Sequence, residues 1–337
     1  MYTSVEEIDL TQISSAGAYA LVLQSPNRLQ LRHRPHRPEI GRTDALIESM
    51  YVALCGTDLD VIDGSSDRIR PPAVLGHEWA GRVAAVGKDV DPAVIGSFVV
   101  GENVVGDDEV GFELPGGMAS HFVIPASNLR ALPPQLHSPW ACLVEPLAVG
   151  VRAIAAVGLE PSDSVLVVGD GVIGLFLARL ATLTTDQVTL VGRHDDRLQV
   201  AARLGIKRVA VQRESEAVAA SHDRGWTVVL EATGREAGLN VALRAAAERA
   251  KVVLVGDYGG APVATEATTI VRKELHVVGS NASQGAWDEA VRLAGTRAVD
   301  LGAVSLAVFS IERWRAALEA ARGRRALRVV LQHQAAQ

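Results

Sequence analysis

The sequence predicts an α/β protein in two parts, a mostly antiparallel, barrel-like β unit and a parallel sheet covered by helices. Three observations point there. Residues 18–130 are short β-type runs punctuated by Gly, Pro and Asp. From Pro161 onward, strand-like runs alternate with Ala/Arg/Leu-rich helical stretches. The 337 residues also exceed what one hydrophobic core normally serves.

In the first part, "AYALVL" (18–23), "DALIESMYVAL" (44–54), "AGRVAAVG" (80–87), "GSFVVGENVV" (96–105) and "ASHFVIP" (119–125) read as strands. Apolar runs bounded by turn residues at such spacing suit a small antiparallel barrel. "WACLVEPLAVGVRAIAAVGL" (140–159) is long and apolar enough for a helix, with Pro146 near its early turns. "DSVLVVGDGVIGLFLARLATL" then reads as a buried strand, a glycine turn and a helix. "QVTLVGR", "RVAVQ", "WTVVLEATG", "KVVLVGDYG" and "LHVVGSN" follow as strands, separated by helical stretches such as "DRLQVAARLG". That alternation implies parallel strands with helices on both faces. "AWDEAVRLAG" and "IERWRAALEAARG" are helical, and "LRVVLQ" is a strand.

The bulk numbers exclude several classes. A formal charge of −6 with no Lys/Arg cluster argues against a nucleic-acid surface. No apolar run is expected to reach the roughly 18 residues of a membrane span. The opening "MYTSVEEIDLTQISSAG" has acids where a secretory leader needs basic and then apolar residues. Two cysteines far apart do not make a disulfide framework. The expectation is a soluble, cytoplasmic protein without nucleic-acid or membrane partners.

"VLVVGDGVIGLFLARL" sets Gly169, Gly171 and Gly174 as G-x-G-x-x-G between a strand and a helix, with Val172 and Ile173 opening the helix. The first glycine permits the tight turn, the second lets backbone approach a pyrophosphate, and the third allows close helix–strand packing. The helix N-terminus adds amides and a positive dipole for the anion. An NAD site normally carries Asp or Glu about 20 residues further on, to hold the ribose 2′-hydroxyl. Here the chain reads "LVGRHDDR", with Gly192 and Arg193, and Arg197 a turn later. Glycine removes a carboxylate that would repel a 2′-phosphate, and arginine forks onto one. Asp195 and Asp196 cut the other way, although they sit where the next helix begins. NADP(H) is favoured over NAD(H); the bland alternative is that Arg193 is a solvated loop residue.

Cys55, in "ALCGTDLDVIDG", is followed by His77 and Glu78 in "PPAVLGHEWAGRVAAVG" and by Glu145 in "ACLVEPLAVG". Thiolate, imidazole and carboxylate suit zinc, which in catalytic sites uses three protein ligands and one open position. Singly, each has a plain reading as core or surface. Together with a dinucleotide turn they do not. "CGTDLD", "GHEWAGRVAAVG", "EPLAVG", "VVGDGVIG", "VVLEATG" and "KELHVVGSN" in this order resemble the zinc-containing medium-chain alcohol and polyol dehydrogenases over nearly the whole chain after residue 17.

The resemblance implies a GroES-like catalytic domain from 1–151 and 283–337 around a Rossmann doubly wound parallel sheet at 152–282. It implies that Cys55 and His77 bind zinc, with Glu78 and Glu145 on or beside the metal. Thr57 matches the hydroxyl that bonds the substrate oxygen, and Asp58 the acid that orients the histidine ligand. Asp60 stands where many relatives carry a proton-relay histidine, so it either relays a proton or faces solvent. Ala232 and Thr233 of "VVLEATG" join the cofactor-binding candidates. One departure is plain. Relatives with a structural zinc carry four clustered cysteines where this chain has "GENVVGDDEVGFELPGG", so one catalytic zinc and no structural zinc is expected.

The implied activity interconverts a secondary alcohol and a ketone by hydride transfer with NADP(H) or NAD(H). "EPLAVG" points to the polyol, sugar and aminocyclitol branch, and the acids Asp60, Asp63 and Asp67 suit a hydroxylated or amino-bearing substrate. The Arg- and Ala-rich composition suggests a high-GC bacterial source, where such enzymes also serve secondary metabolism. Relatives form homodimers or homotetramers through the Rossmann sheet. Two rivals stay open: a zinc-free quinone or enoyl reductase of the same superfamily, and a non-catalytic NADP-binding protein. Cys142 and His121 are read as structural, and Trp79 as lining the site or packing beneath it.

Overall fold

The computed structural model of the chain describes residues 18–34, 38–66, 68–211, 224–260, 262–324 and 326–333. The opening segment 1–17 and Asp67 lie outside them. Contacts divide the chain into a first unit, 1–145 with 305–337, and a second, 146–304.

The first unit begins with the hairpin β1 (Ala18–Ser25) and β2 (Arg28–Arg34), followed by β3 (Asp44–Leu54) and helix α1 (Gly56–Asp63). Strands β4 (Glu78–Val86), β5 (Phe98–Gly101), β6 (Val104–Val105), β7 (Asp108–Glu109), β8 (His121–Pro125) and β9 (Leu129–Ala131) come next. Helix α2 (Val144–Val157) spans the division.

In the second unit come β10 (Val165–Val168), α3 (Val172–Ala181), β11 (Val188–Gly192), α4 (Asp195–Arg203), β12 (Arg208–Val211) and β13 (Trp226–Glu231). They are followed by α5 (Glu236–Ala245), β14 (Ala246–Leu254), α6 (Ala267–Arg272), β15 (His276–Gly279) and α7 (Trp287–Gly295). The chain then returns to the first unit with β16 (Leu306–Ser310), α8 (Trp314–Arg322) and β17 (Arg328–Gln332).

The large sheet of the first unit runs β16-β17-β3-β4-β5-β9, with β8 also on β3. Apart from the parallel β16–β17 pair, its ladders are antiparallel. Strand β3 is its axis, because its buried alternation lets neighbours pack against it on both sides. The register fixes what meets at its end: Ala53 faces Glu78 of β4, and Leu54 faces Val329 of β17. Cys55, the next residue, therefore shares an edge with Glu78 and Arg328. A core of Leu21, Leu23, Ile47, Trp79, Phe122 and Ile124 lies beneath it.

The second unit is a six-stranded parallel sheet in the order β12-β11-β10-β13-β14-β15. The order reverses at β10, the kind of switch point at which doubly wound sheets bind ligands. β10 and β11 are buried throughout, as strands covered on both faces must be. β15 is an edge, and all four of its residues are exposed.

The contact division at 145/146 and 304/305 lies near the expected boundary at 151/152 and beyond the expected one at 282/283. One expectation needs correction. Pro139–Val157 is long and apolar enough by length and composition to span a membrane, but 61% of its window is buried inside the protein. Its apolar surface is already used in packing.

Candidate functional site

The first group of residues forms around the start of α1. Cys55 caps this helix: its backbone N–H donates to Asp58 Oδ2 at 2.8 Å, and its side chain receives the amide of Asp58. The helix closes on Gly64, whose left-handed φ of 76° stops it after two turns. One capping box thus orients Cys55 and Asp58 together. Thr57 Oγ1 lies 3.8 Å from Cys55 Sγ. Asp60 is exposed on the helix, and Asp63 pairs with Arg322 of α8.

Cys55, His77 and Glu78 each offer a ligand atom, all within 4.8 Å of one another. His77 Nδ1 faces Asp58 Oδ1 at 3.5 Å, which leaves Nε2 for a metal. The imidazole is stacked on Phe112 with centroids 4.8 Å apart. Behind it, Asn103 Nδ2 donates to the His77 carbonyl at 2.7 Å, and the Trp79 indole donates to Asn103 Oδ1 at 2.8 Å. Trp79 is buried against Phe122, so it packs beneath the site rather than lining it. Cys142 is buried, and His121 stands on β8 beside Ser120, as structural readings require.

Electrostatics shows what the cluster lacks. Asp58, Glu78 and Glu145 are 0%, 1% and 9% exposed. Burial pushes the Glu145 carboxyl up to about 8, opposed by His77 and reinforced by Glu78. For His77, burial favours the neutral ring, yet Asp58 and Cys55 outweigh it and hold the pKa well above its ordinary value. Arg328 is the organic counter-charge: its guanidinium donates to Glu78 Oε1 at 2.6 Å and lies 3.9 Å from Cys55 Sγ. Asp58 Oδ1 and His77 Nδ1 have only each other, at 3.5 Å, and Glu78 Oε2 is buried without a hydrogen-bond partner. Such atoms are costly unless a cation or other partner meets them. Thiolate, imidazole and carboxylate around a shared point fit zinc. Glu145 is outside the three whose donor atoms converge, although its charge is felt by them.

The second group surrounds the glycine turn between β10 and α3. Gly171 is the N-cap of α3, and a Cβ there would meet nothing within 4 Å, so the space over the turn is open to a ligand. The amides of Val172, Ile173 and Gly174 belong to a first helical turn, whose N–H groups lack intrahelical partners. Across the turn, the Ala232 amide donates to Val168 O at 2.9 Å. Thr233 donates both its N–H, at 2.7 Å, and its hydroxyl to Glu231. Thr233 therefore shapes the end of β13.

β11 ends at Gly192, and α4 starts at Asp195, so Asp195 and Asp196 are first-turn acids as expected. The residue that sequence reasoning passed over is Asp170. Its Oδ2 accepts from the amides of Arg193 and His194 at 2.6 and 2.8 Å and lies 2.9 Å from His194 Nδ1. Its Oδ1 lies 3.5 Å from Arg197. Burial raises this carboxyl, but the His194 and Arg193 bonds outweigh it and hold the pKa below its ordinary value. An acid in a wildcard place of the glycine motif was the available signal. Arg328 had none, being one basic residue entering a strand.

Comparison with known proteins agrees with this layout. The "Alcohol dehydrogenase GroES-like domain" family matches residues 41–134, and the "Zinc-binding dehydrogenase" family matches residues 172–296. The chain is 28% identical to an L-threonine 3-dehydrogenase of Anaeromyxobacter sp. (strain K), over 89% of this chain and 94% of the relative. It is 26% identical to the sorbitol dehydrogenase of Halalkalibacterium halodurans, over 87% and 93%. A chain from Sinorhizobium meliloti 1021, solved bound to NADP, has the same fold: TM-score 0.85 at 24% identity, covering 94% of this chain and 99% of that one. With both of its family domains matched in order over more than half its length, the chain belongs to the zinc-type medium-chain alcohol and polyol dehydrogenases.

Proposed function

We propose that the protein oxidises a secondary alcohol of a polyol, sugar or aminocyclitol to the ketone, and runs the reverse reduction, with NADP(H) preferred to NAD(H). The observation that carries this reading is the convergence of donor atoms from Cys55, His77 and Glu78 within 4.8 Å, with Glu78 Oε2 buried and unpartnered, in a chain that also holds an open dinucleotide turn. Zinc, when bound, supplies Lewis-acid polarisation of the substrate oxygen. Cys55, His77 and Glu78 would hold it, with Glu145 as an exchanging carboxylate. Asp58 keeps the His77 ring turned, as a carboxylate behind a ligand histidine does. Thr57 accepts the substrate's hydroxyl proton as it gives up its own, and exposed Asp60 offers the released proton a route to water. The carbinol C–H leaves as hydride to the nicotinamide, whose chemistry is its own, while the protein aligns the two.

Sorbitol and L-threonine, named in the relatives, both carry a secondary alcohol beside a hydroxyl or amino group, which supports the substrate class. Glycine at 192 with Arg193 beside it supports NADP(H). The lack of further cysteines supports a single catalytic zinc. The exposed edge strand β15, with Val277 and Val278 37% and 41% exposed, suits a homodimer or homotetramer. The family and the mostly buried apolar helix fit a cytoplasmic enzyme, and a role in bacterial secondary metabolism is in keeping with the composition.

The test is turnover of a panel of polyols, sugars and aminocyclitols with NADP+ and NAD+, alongside metal analysis. Cys55→Ser should lose zinc and turnover while keeping its circular dichroism spectrum. Full turnover in zinc-free Cys55→Ser would overturn the proposal, and bound zinc without turnover on any alcohol would favour a non-catalytic role.

A further inference from the structure

At the end of β11 a glycine stands where an acid is common, and an acid from the neighbouring turn fills the space beside it. The common NAD arrangement puts the acid on this strand end. Here the strand end is Gly192, and the acid comes from the neighbouring turn as Asp170, only 6% exposed. A Cβ built on Gly192 would collide with Asp170 Cβ, lie 2.7 Å from its Oδ2 and 2.8 Å from Leu198 Cδ2. Real Cβ atoms essentially never approach so closely. The two positions cannot both carry a side chain in this backbone.

Asp170 does more than fill space. Its Oδ2 receives two backbone amides and faces His194 Nδ1, so it has no lone pair left for a ribose hydroxyl. Its Oδ1 faces the Arg197 guanidinium. The carboxylate thus pins the backbone of 193–194 and draws one imidazole and one guanidinium to the strand end. A loop staple would need only the two amides; the two side chains are what a staple does not explain.

We propose that Asp170 is the cofactor-selecting residue. Its side chain bars any acid from position 192, and it arranges Arg193, His194 and Arg197 as a basic rim for a 2′-phosphate. The inference rests on the NADP(H) reading above and adds the residue responsible for it. Asp170 acts through its neighbours, as a positioning residue, and predicts that the acid is movable only as an exchange.

Dissociation constants for NADPH and NADH, measured by fluorescence, and melting temperatures without cofactor test this on wild type, Gly192→Asp, Asp170→Gly and Asp170→Gly/Gly192→Asp. Gly192→Asp alone should melt lower and bind both cofactors more weakly, because the collision stands. The double exchange should melt with Asp170→Gly and shift the NADPH:NADH preference toward NADH by about tenfold or more. If Asp170→Gly fails to fold, Asp170→Asn keeps the bulk, and in that background Gly192→Asp should still be excluded.

A Gly192→Asp chain that melts like wild type and prefers NADH as strongly as the double exchange would overturn the proposal. So would a double exchange that keeps the wild-type preference, or an Asp170→Gly chain that loses NADH but keeps NADPH, since Asp170 would then be the ribose acceptor. A wild type that binds NADH more tightly overturns the NADP(H) reading and this inference together. A wild type that prefers NADPH, with no coupling between 170 and 192, overturns this inference alone.

Discussion

Replacing Arg328 with leucine separates the organic counter-charge of the metal cluster from the inorganic one. In the metal-free protein, Arg328 and Glu78 form a buried pair 2.6 Å apart, with side chains 13% and 1% exposed. Removing one member of such a pair leaves the other charge without compensation, a loss of about 3–5 kcal/mol. Leucine returns only part of that as packing. Zinc would be held by Glu78 and Cys55, the same donors that Arg328 approaches at 2.6 and 3.9 Å. The loss should then fall below about 2 kcal/mol, and zinc should bind about tenfold or more tightly, because a competing cation is gone. Urea unfolding with a chelator and with excess zinc measures the first quantity. Competition with a chromophoric chelator measures the second. Equal destabilisation with and without zinc, or weaker zinc binding, would refute the reasoning.

Other predictions concern single groups. Glu145 has its carboxyl raised from 4.5 to about 8, so the metal-free fold binds one proton more than the unfolded chain across that window. Stability should therefore fall as pH rises from 4.5 to 8, by up to about 5 kcal/mol at 1.36 kcal/mol per pKa unit. Glu145→Gln should remove that slope in chelator, which unfolding curves at several pH values will show. Asn103→Ala orphans the buried Trp79 indole and the His77 carbonyl and should cost about 2–4 kcal/mol, measured by the same unfolding. Gly174→Ala places a Cβ onto the Gly169 carbonyl oxygen and 2.8 Å from its carbon. It should weaken dinucleotide binding by about tenfold or more, read by cofactor fluorescence.

Much of this was legible in the sequence, for local reasons. A buried parallel strand followed by a glycine turn and a helix is written within twenty residues, and so is the capped helix that carries Cys55, Thr57 and Asp58. Cys55, His77 and Glu78 stood out because they accompany a dinucleotide turn in motifs that resemble a known family, since each alone has a plain reading. Arg328 was not, since it meets Cys55 across 273 positions, through a strand register that no local pattern encodes. Asp170 was hidden differently. It stands in a place where the glycine motif tolerates any residue, and its meaning depends on the absence of a Cβ 22 residues away at Gly192.

Strand β17 has a consequence for the order in which the protein is made. It pairs with β3 and delivers Arg328 to Glu78, yet the second unit, 146–304, lies between them in the chain. On the ribosome, β3, β4 and α1 emerge long before β17, whereas all six strands of the second unit emerge together. Pairings at long range wait on closure of the intervening chain, and domains tend to fold as units during synthesis. The dinucleotide sheet can therefore be complete while the first unit still lacks a central neighbour and the buried Glu78 lacks its cation. Completing the edge that carries Glu78 is thus a late event, because it waits on β17, the last of the described strands.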